Sequence, residues 1–189
     1  MSAWTEHKAE WISCQKCSYC ETRNKVVLGR GVIPADVLFI GEAPGPNENA
    51  LGKAFIGPAG KALDSYIEAA LKQTGIVKPA MFFSNLVGCI PYDLEASKKF
   101  MEPSKEVIEA CQPRILQVIE MCKPSIIVRV GNLTKKHIPN GLAEYTFDIV
   151  HPAAILRADE QNRGLLIQNC VLTLADMLDA YIEHGKVPF

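Results

Sequence analysis

"VLFIGEAPGPNENALGKAFIGPAG", Val37 to Gly60, opens as an apolar run and then breaks into an acid, several prolines and five glycines. Val37 to Ile40 are four consecutive apolar residues bounded by Gly41, the pattern of a short strand buried on both faces. Gly41 and Gly45 allow backbone shapes or close approaches that a side chain would forbid, so a ligand is expected to lie against this loop. The following "AGKALDSYIEAALKQTG" carries apolar residues at helical spacing, which makes the whole stretch strand, loop and helix.

The same alternation continues along the chain. "MFFSN" (81–85), "SIIVRVG" (125–131) and "FDIV" (147–150) read as further strands, and "SKEVIEACQPRILQVIEMC" as a helix between two of them. A βαβα series packs most naturally as a three-layer α/β/α fold with a central, mostly parallel four-stranded sheet, and ligands then gather at the carboxyl ends of the strands. The segments predicted at those ends are Gly41 to Gly45, Asn85, Gly131 to Thr134 and His151-Pro152. A last helix from about Arg163 to His184 is expected to cover the sheet. No repeat, low-complexity tract or linker divides residues 1–189, which predicts one domain.

With 48% hydrophobic and 22% charged residues, a chain of 189 residues is long enough to bury a real core. No apolar run approaches the roughly 20 residues of a membrane span. The "MSAWTEHKAEW" segment has acids where a signal peptide is basic and then apolar, so a cytoplasmic protein is expected. A net charge of -1 gives no overall footprint for nucleic acid, and any DNA-binding surface must be a local patch.

Seven cysteines in a reducing compartment point to metal rather than disulfides, and the odd count leaves at least one for something else. "CQKCSYC" places Cys14, Cys17 and Cys20 in two C-x2-C steps, which lets neighbouring thiolates reach one centre. A fourth ligand must come from Cys89, Cys111, Cys122 or Cys170, and spacing does not choose among them. A solitary helical cysteine is ordinarily a small buried apolar residue, the reading applied to Cys122 and Cys170. Four thiolates suit zinc and iron-sulfur equally.

Together, "GEAPG" after the first strand, "GKAFIGPAG" beyond it, "SNLVGCIPY" closing the second strand and "HPAAILR" closing the fourth resemble the motifs of family 4 uracil-DNA glycosylases, in order and over nearly the whole chain. The resemblance implies a base-excision repair hydrolase of uracil-containing DNA, single- or double-stranded, acting as a monomer and carrying a 4Fe-4S cluster. It places the cluster ligands on Cys14, Cys17, Cys89 and Cys111. Cys20 departs from the family pattern, and "DLEASKKFME" lengthens the segment between Cys89 and Cys111, where a longer surface loop is expected.

On this reading each motif acquires a chemical role. Phe55, between glycine-rich turns, offers a flat face to a flipped base, although a phenylalanine ordinarily packs in a core. Asn85 supplies a donor and an acceptor from one amide, which matches a uracil carbonyl and its neighbouring N–H and rejects cytosine; otherwise it caps a turn. His151 can donate to the departing base without carrying charge, where a lone histidine would more often be structural. Leu156 can wedge into the gap left by the flipped base and Arg157 can hold a phosphate, or both are ordinary packing and solvation. The backbone of Gly41, Ala43 and Gly45 lies beneath the sugar.

Better-known uracil glycosylases carry an aspartate where this chain has Ala43, so Glu42 is the first candidate to position water or steady the cationic sugar, with Glu48 second. They also carry a tyrosine that blocks the thymine methyl where this chain has Gly45. Glu48 is therefore expected to close the pocket near the 5-position of the base. Two rival readings are a glycosylase for another damaged base, such as hypoxanthine or a hydroxymethylated pyrimidine, and a non-catalytic zinc or iron-sulfur nucleic-acid-binding module.

Overall fold

A computed structural model of the chain describes residues 2–92 and 100–183. The elements in chain order are α1 (Ala3–Trp11), β1 (Arg30–Gly31), β2 (Val37–Gly41), α2 (Pro46–Leu51), α3 (Pro58–Thr74), β3 (Met81–Asn85), α4 (Lys105–Cys122), β4 (Ile126–Val130), α5 (Asn132–His137), β5 (Tyr145–Ile149), α6 (Pro152–Arg157) and α7 (Glu160–Glu183). The longer loop expected between Cys89 and Cys111 falls largely on residues 93–99, outside the described residues, as does His184.

Five strands form one sheet in the order β1-β3-β2-β4-β5. β3, β2, β4 and β5 are mutually parallel and account for the four expected strands. The fifth, β1, corrects the strand count: it pairs antiparallel with β3 through Arg30↔Phe83 and Gly31↔Phe82. Two residues, neither buried, leave no alternation for a periodicity reading to find. β5 also begins earlier than expected, at Tyr145, because its partner Ile126 on β4 holds that register.

Every residue of β2, β3 and β4 is buried, which explains their continuous apolar runs. Successive side chains alternate between two cores. Val37 and Phe39 pack with Leu63 and Ile67 of α3 and Leu174 and Leu178 of α7, whereas Leu38 and Ile40 pack with Ile115 and Val118 of α4. The expected three layers are thus built by period-2 strands meeting period-3.6 helices. Ser104 caps α4, its Oγ accepting from Val107 N at 3.4 Å, and the helix continues through Pro113 to Cys122.

α7 is long and apolar enough to cross a membrane by length and composition alone. Its buried residues, Cys170, Leu174, Ala175, Met177, Leu178 and Tyr181, are nevertheless the ones that join the sheet core. α1 packs on α4: Trp11, 1% exposed, donates from Nε1 to Gln117 Oε1 at 2.6 Å, and His7 Nδ1 meets the same oxygen at 2.8 Å.

Candidate active site and cysteine centre

The carboxyl ends of β2, β3, β4 and β5 open onto a cleft of about 770 Å³. Glu42, Ala43, Gly45, Glu48, Phe55, Asn85, His151, Leu156 and Arg157 all line it. Gly41 lies beneath: a Cβ built there would stand 2.5 Å from Phe55 Cζ and 2.6 Å from Asn85 Oδ1. Only glycine therefore lets the phenylalanine ring and the asparagine amide meet at the end of β2.

Phe55 is held in the left-handed region at φ 53°, an uncommon conformation for a bulky residue. Two contacts fix it. Its carbonyl lies so close to Gly60 that a Cβ on that glycine would approach within 1.9 Å, and Glu48 Oε1 accepts from the next two backbone N–H groups, Ile56 at 2.9 Å and Gly57 at 2.7 Å. The ring is almost wholly buried, tilted 57° to Phe83 at 5.9 Å, so it belongs to the core as well as to the cleft wall. Glu48 lines the cleft, with one carboxylate oxygen committed to holding the Phe55 loop.

His151 caps α6, its Nδ1 accepting from Ala153 N at 3.2 Å. That bond assigns the proton of the neutral ring to Nε2. Burial pushes the imidazole down to about 4, and the nearby Arg157 guanidinium adds to the effect. The ring is thus a neutral donor. Burial also raises the Glu42 carboxyl above its ordinary value, Glu102 raises it further and Arg157 opposes both. Glu102 and Phe100, which line the same cleft, were not singled out by the sequence because they lie at the end of a segment with no strand or helix pattern.

Cys14, Cys17, Cys89 and Cys111 line a second, small cavity, together with Lys16, Arg23 and Arg114. Cys20 does not line it; it ends a short 3-10 turn, its N donating to Cys17 O at 3.2 Å. Cys122 and Cys170 are buried in the two sheet cores, as expected of small apolar residues. Gly88 N and Arg114 Nε each donate to Cys111 Sγ at 3.4 Å. Burial pushes the Cys89 thiol up to about 12, opposed by the Arg23 charge. Four soft sulfurs surrounded by N–H donors and cations suit a thiolate-bound anionic group such as an iron-sulfur cluster. Among the described residues no three His, Cys, Asp or Glu side chains close on a single ion.

Arg114 was not anticipated. It is fully buried on α4, with Nη1 donating to Ser84 Oγ at 3.2 Å and Nη2 to the backbone carbonyls of Asn85 and of Leu86, the latter at 3.2 Å. Nothing in a helical pattern distinguishes an inward-facing arginine from a solvated one.

The sequence model of the Uracil DNA glycosylase superfamily matches residues 28–175. A protein of Sulfurisphaera tokodaii named type-4 uracil-DNA glycosylase is 35% identical over 144 residues, 76% of this chain and 61% of that protein. One of the same name from Saccharolobus solfataricus is 37% identical over 125 residues, 66% of this chain and 54% of its own length. A third, from Pyrobaculum aerophilum, is 28% identical over 196 aligned positions, 92% of this chain and 94% of that protein. The chain thus spans little more than half the length of the first two. Cys14 and Cys17 precede the matched residues, whereas β2 through α6, which build the cleft, lie wholly within them. The chain belongs to the uracil-DNA glycosylase superfamily.

Proposed function

We propose that this chain excises uracil from DNA. A monomer of one domain in the cytoplasm takes a nucleotide flipped from single- or double-stranded DNA into the cleft and hydrolyses its N-glycosidic bond. The observation that carries this reading is the convergence of Phe55, Asn85, Glu42 and His151, from separate strand ends and loops, on one cleft. A stacked base is out of reach of any of them, so the nucleotide must be extruded. Phe55 then faces the ring, and the Asn85 amide pairs with one carbonyl and the adjacent N–H.

As the bond between N1 and C1′ breaks, its electrons leave with the base and negative charge collects on the 2-carbonyl oxygen. The Nε2–H of His151 donates to that oxygen, and the ring need not be protonated to do so. Water adds to C1′ and loses a proton, giving free uracil and an abasic sugar. The Glu42 carboxylate orients that water or faces the cationic sugar. Leu156, 42% exposed at the cleft, fills the gap in the duplex, and Arg157 holds a phosphate.

Cys14, Cys17, Cys89 and Cys111 hold a 4Fe-4S cluster in this proposal. Bound there, the cluster supplies Fe–S bonds that tie the N-terminal segment, the loop after β3 and α4 together. Purified protein is expected to be brown, with equal iron and sulfide, and Cys89→Ala or Cys111→Ala to bleach it while Cys122→Ala does not. Oligonucleotides each carrying one modified base test the activity. Release of uracil is expected; release of another damaged base alone, or binding without release, overturns it in favour of a sister glycosylase or a non-catalytic module.

A further inference from the structure

Arg114 stands between the two sites. It has no exposed surface, and its guanidinium touches Cys111 Sγ on one side and the Ser84 to Leu86 backbone and side-chain oxygens on the other. An arginine keeps its charge in proteins, and a buried unpaired charge is strongly unfavourable. Among the described residues no carboxylate forms an ion pair with it, and none lines the cysteine cavity. The neutral oxygens it meets satisfy its donors without balancing its charge. Cys111 Sγ, 3.4 Å from Nε, balances it once that sulfur is a bound thiolate.

The oxygens are placed just as tellingly. Asn85 pairs with Gly41 in the sheet, Leu86 N donates to Gly41 O at 2.8 Å and Val87 N to Glu42 O at 3.2 Å. One guanidinium therefore fixes two successive carbonyls, those of Asn85 itself and of Leu86, and the N–H groups that follow each of them tie the same backbone to Gly41 and Glu42. The shared hydrogen bonds give it a planar fork that a lysine cannot reproduce.

We infer that Arg114 is a positioning residue that links the cysteine centre to base recognition: it takes its counter-charge from the thiolate-bound cluster and uses its remaining donors to set the backbone of Asn85. The inference rests on the proposed cluster and on the proposed role of Asn85. It separates two functions of one side chain, charge toward the sulfurs and geometry toward the asparagine, and two substitutions separate them experimentally. Arg114→Gln removes the charge. Arg114→Lys keeps it and loses the fork.

A redox titration of the iron-loaded protein, followed by its visible absorbance, reads the first function. A cation near the cluster favours the reduced, more negative state, so Arg114→Gln is expected to move the midpoint to more negative potential and Arg114→Lys to leave it near the parent's. Single-turnover excision on uracil-containing duplex reads the second. Both variants are expected to lose roughly tenfold or more in rate, the loss for one or two charge-assisted hydrogen bonds, with the DNA dissociation constant unchanged. Parent-like midpoint and rate in both variants overturn the inference, as does a fall in rate with no difference in midpoint between Gln and Lys. Should neither variant fold, Ser84→Ala removes the Nη1 acceptor together with the Oγ–H bond to Leu28 O, and Ser84→Cys, which keeps a weak donor and acceptor there, is its control: slower excision by Ser84→Ala at unchanged iron content, recovered in part by Ser84→Cys, supports the inference, and an unchanged rate refutes it. An iron-free parent overturns the cluster reading and the inference together, whereas an iron-loaded parent that releases no uracil overturns the proposed activity and leaves the midpoint comparison decisive.

Discussion

In the proposed reaction His151 acts through what burial removes. The ring sits at the end of β5 with its proton on Nε2, and its pKa is lowered to about 4. The unfolded ring takes up a proton first, so the stability that depends on a neutral His151 is fully present above about pH 6.5 and is lost as pH falls from there toward 4. The donor itself stays neutral and competent across that window. Single-turnover excision is therefore expected to show no break between pH 6 and 7, where an ordinary histidine titrates. An acidic limb that disappears in Glu42→Gln belongs to Glu42, whose carboxyl is raised by burial and by Glu102. A break near 6.5 that persists in Glu42→Gln would mean that a charged imidazole takes part. Phe55 makes a complementary point, since its left-handed backbone is held by Glu48 and Gly60 rather than preferred by the residue.

Among the elements, α1 is the one whose removal should reach furthest. It docks through one face carrying Trp4, which meets Phe82 edge-on at 5.3 Å, His7 and Trp11, the last two sharing Gln117 Oε1. Trp11 also lines the cysteine cavity, with the Lys16 ammonium 4.1 Å from its ring centroid. Trp11→Ala is expected to destabilise the fold by about 3–5 kcal/mol, the range for emptying a fully packed aromatic site, and to speed iron loss. Denaturant unfolding and the decay of visible absorbance check both effects; parent-like stability would detach α1 from the centre. α1 was not read from the sequence because its inward face amounts to three residues of a nine-residue helix, one of them the polar His7. β2, β3 and β4 were legible nearly to the residue because burial on both faces writes them as continuous apolar runs. β1 escaped because two residues carry no period, and its presence depends on pairing with β3.

For the whole molecule, four parallel strand ends bring distant motifs to one edge, and that convergence was readable because each motif sits where an apolar run stops. The fold could be read from patterning; the partnerships could not. Glu48, expected as a wall near the 5-position of the base, is bound to the N–H groups of Ile56 and Gly57, and Arg114, which the sequence did not single out, is fully buried. Both assignments depend on contacts between elements, which spacing along the chain does not encode. The account's central claim is that this edge is a uracil-excising cleft in which His151 stabilises the departing base. Its most direct test is single-turnover release of uracil from a duplex carrying one such base, by the parent and by His151→Ala, with DNA affinity measured alongside. Uracil release by the parent, a roughly hundredfold slower rate in the variant and unchanged DNA binding are the predicted results. No release by the parent, or equal losses of rate and binding in the variant, would contradict the account.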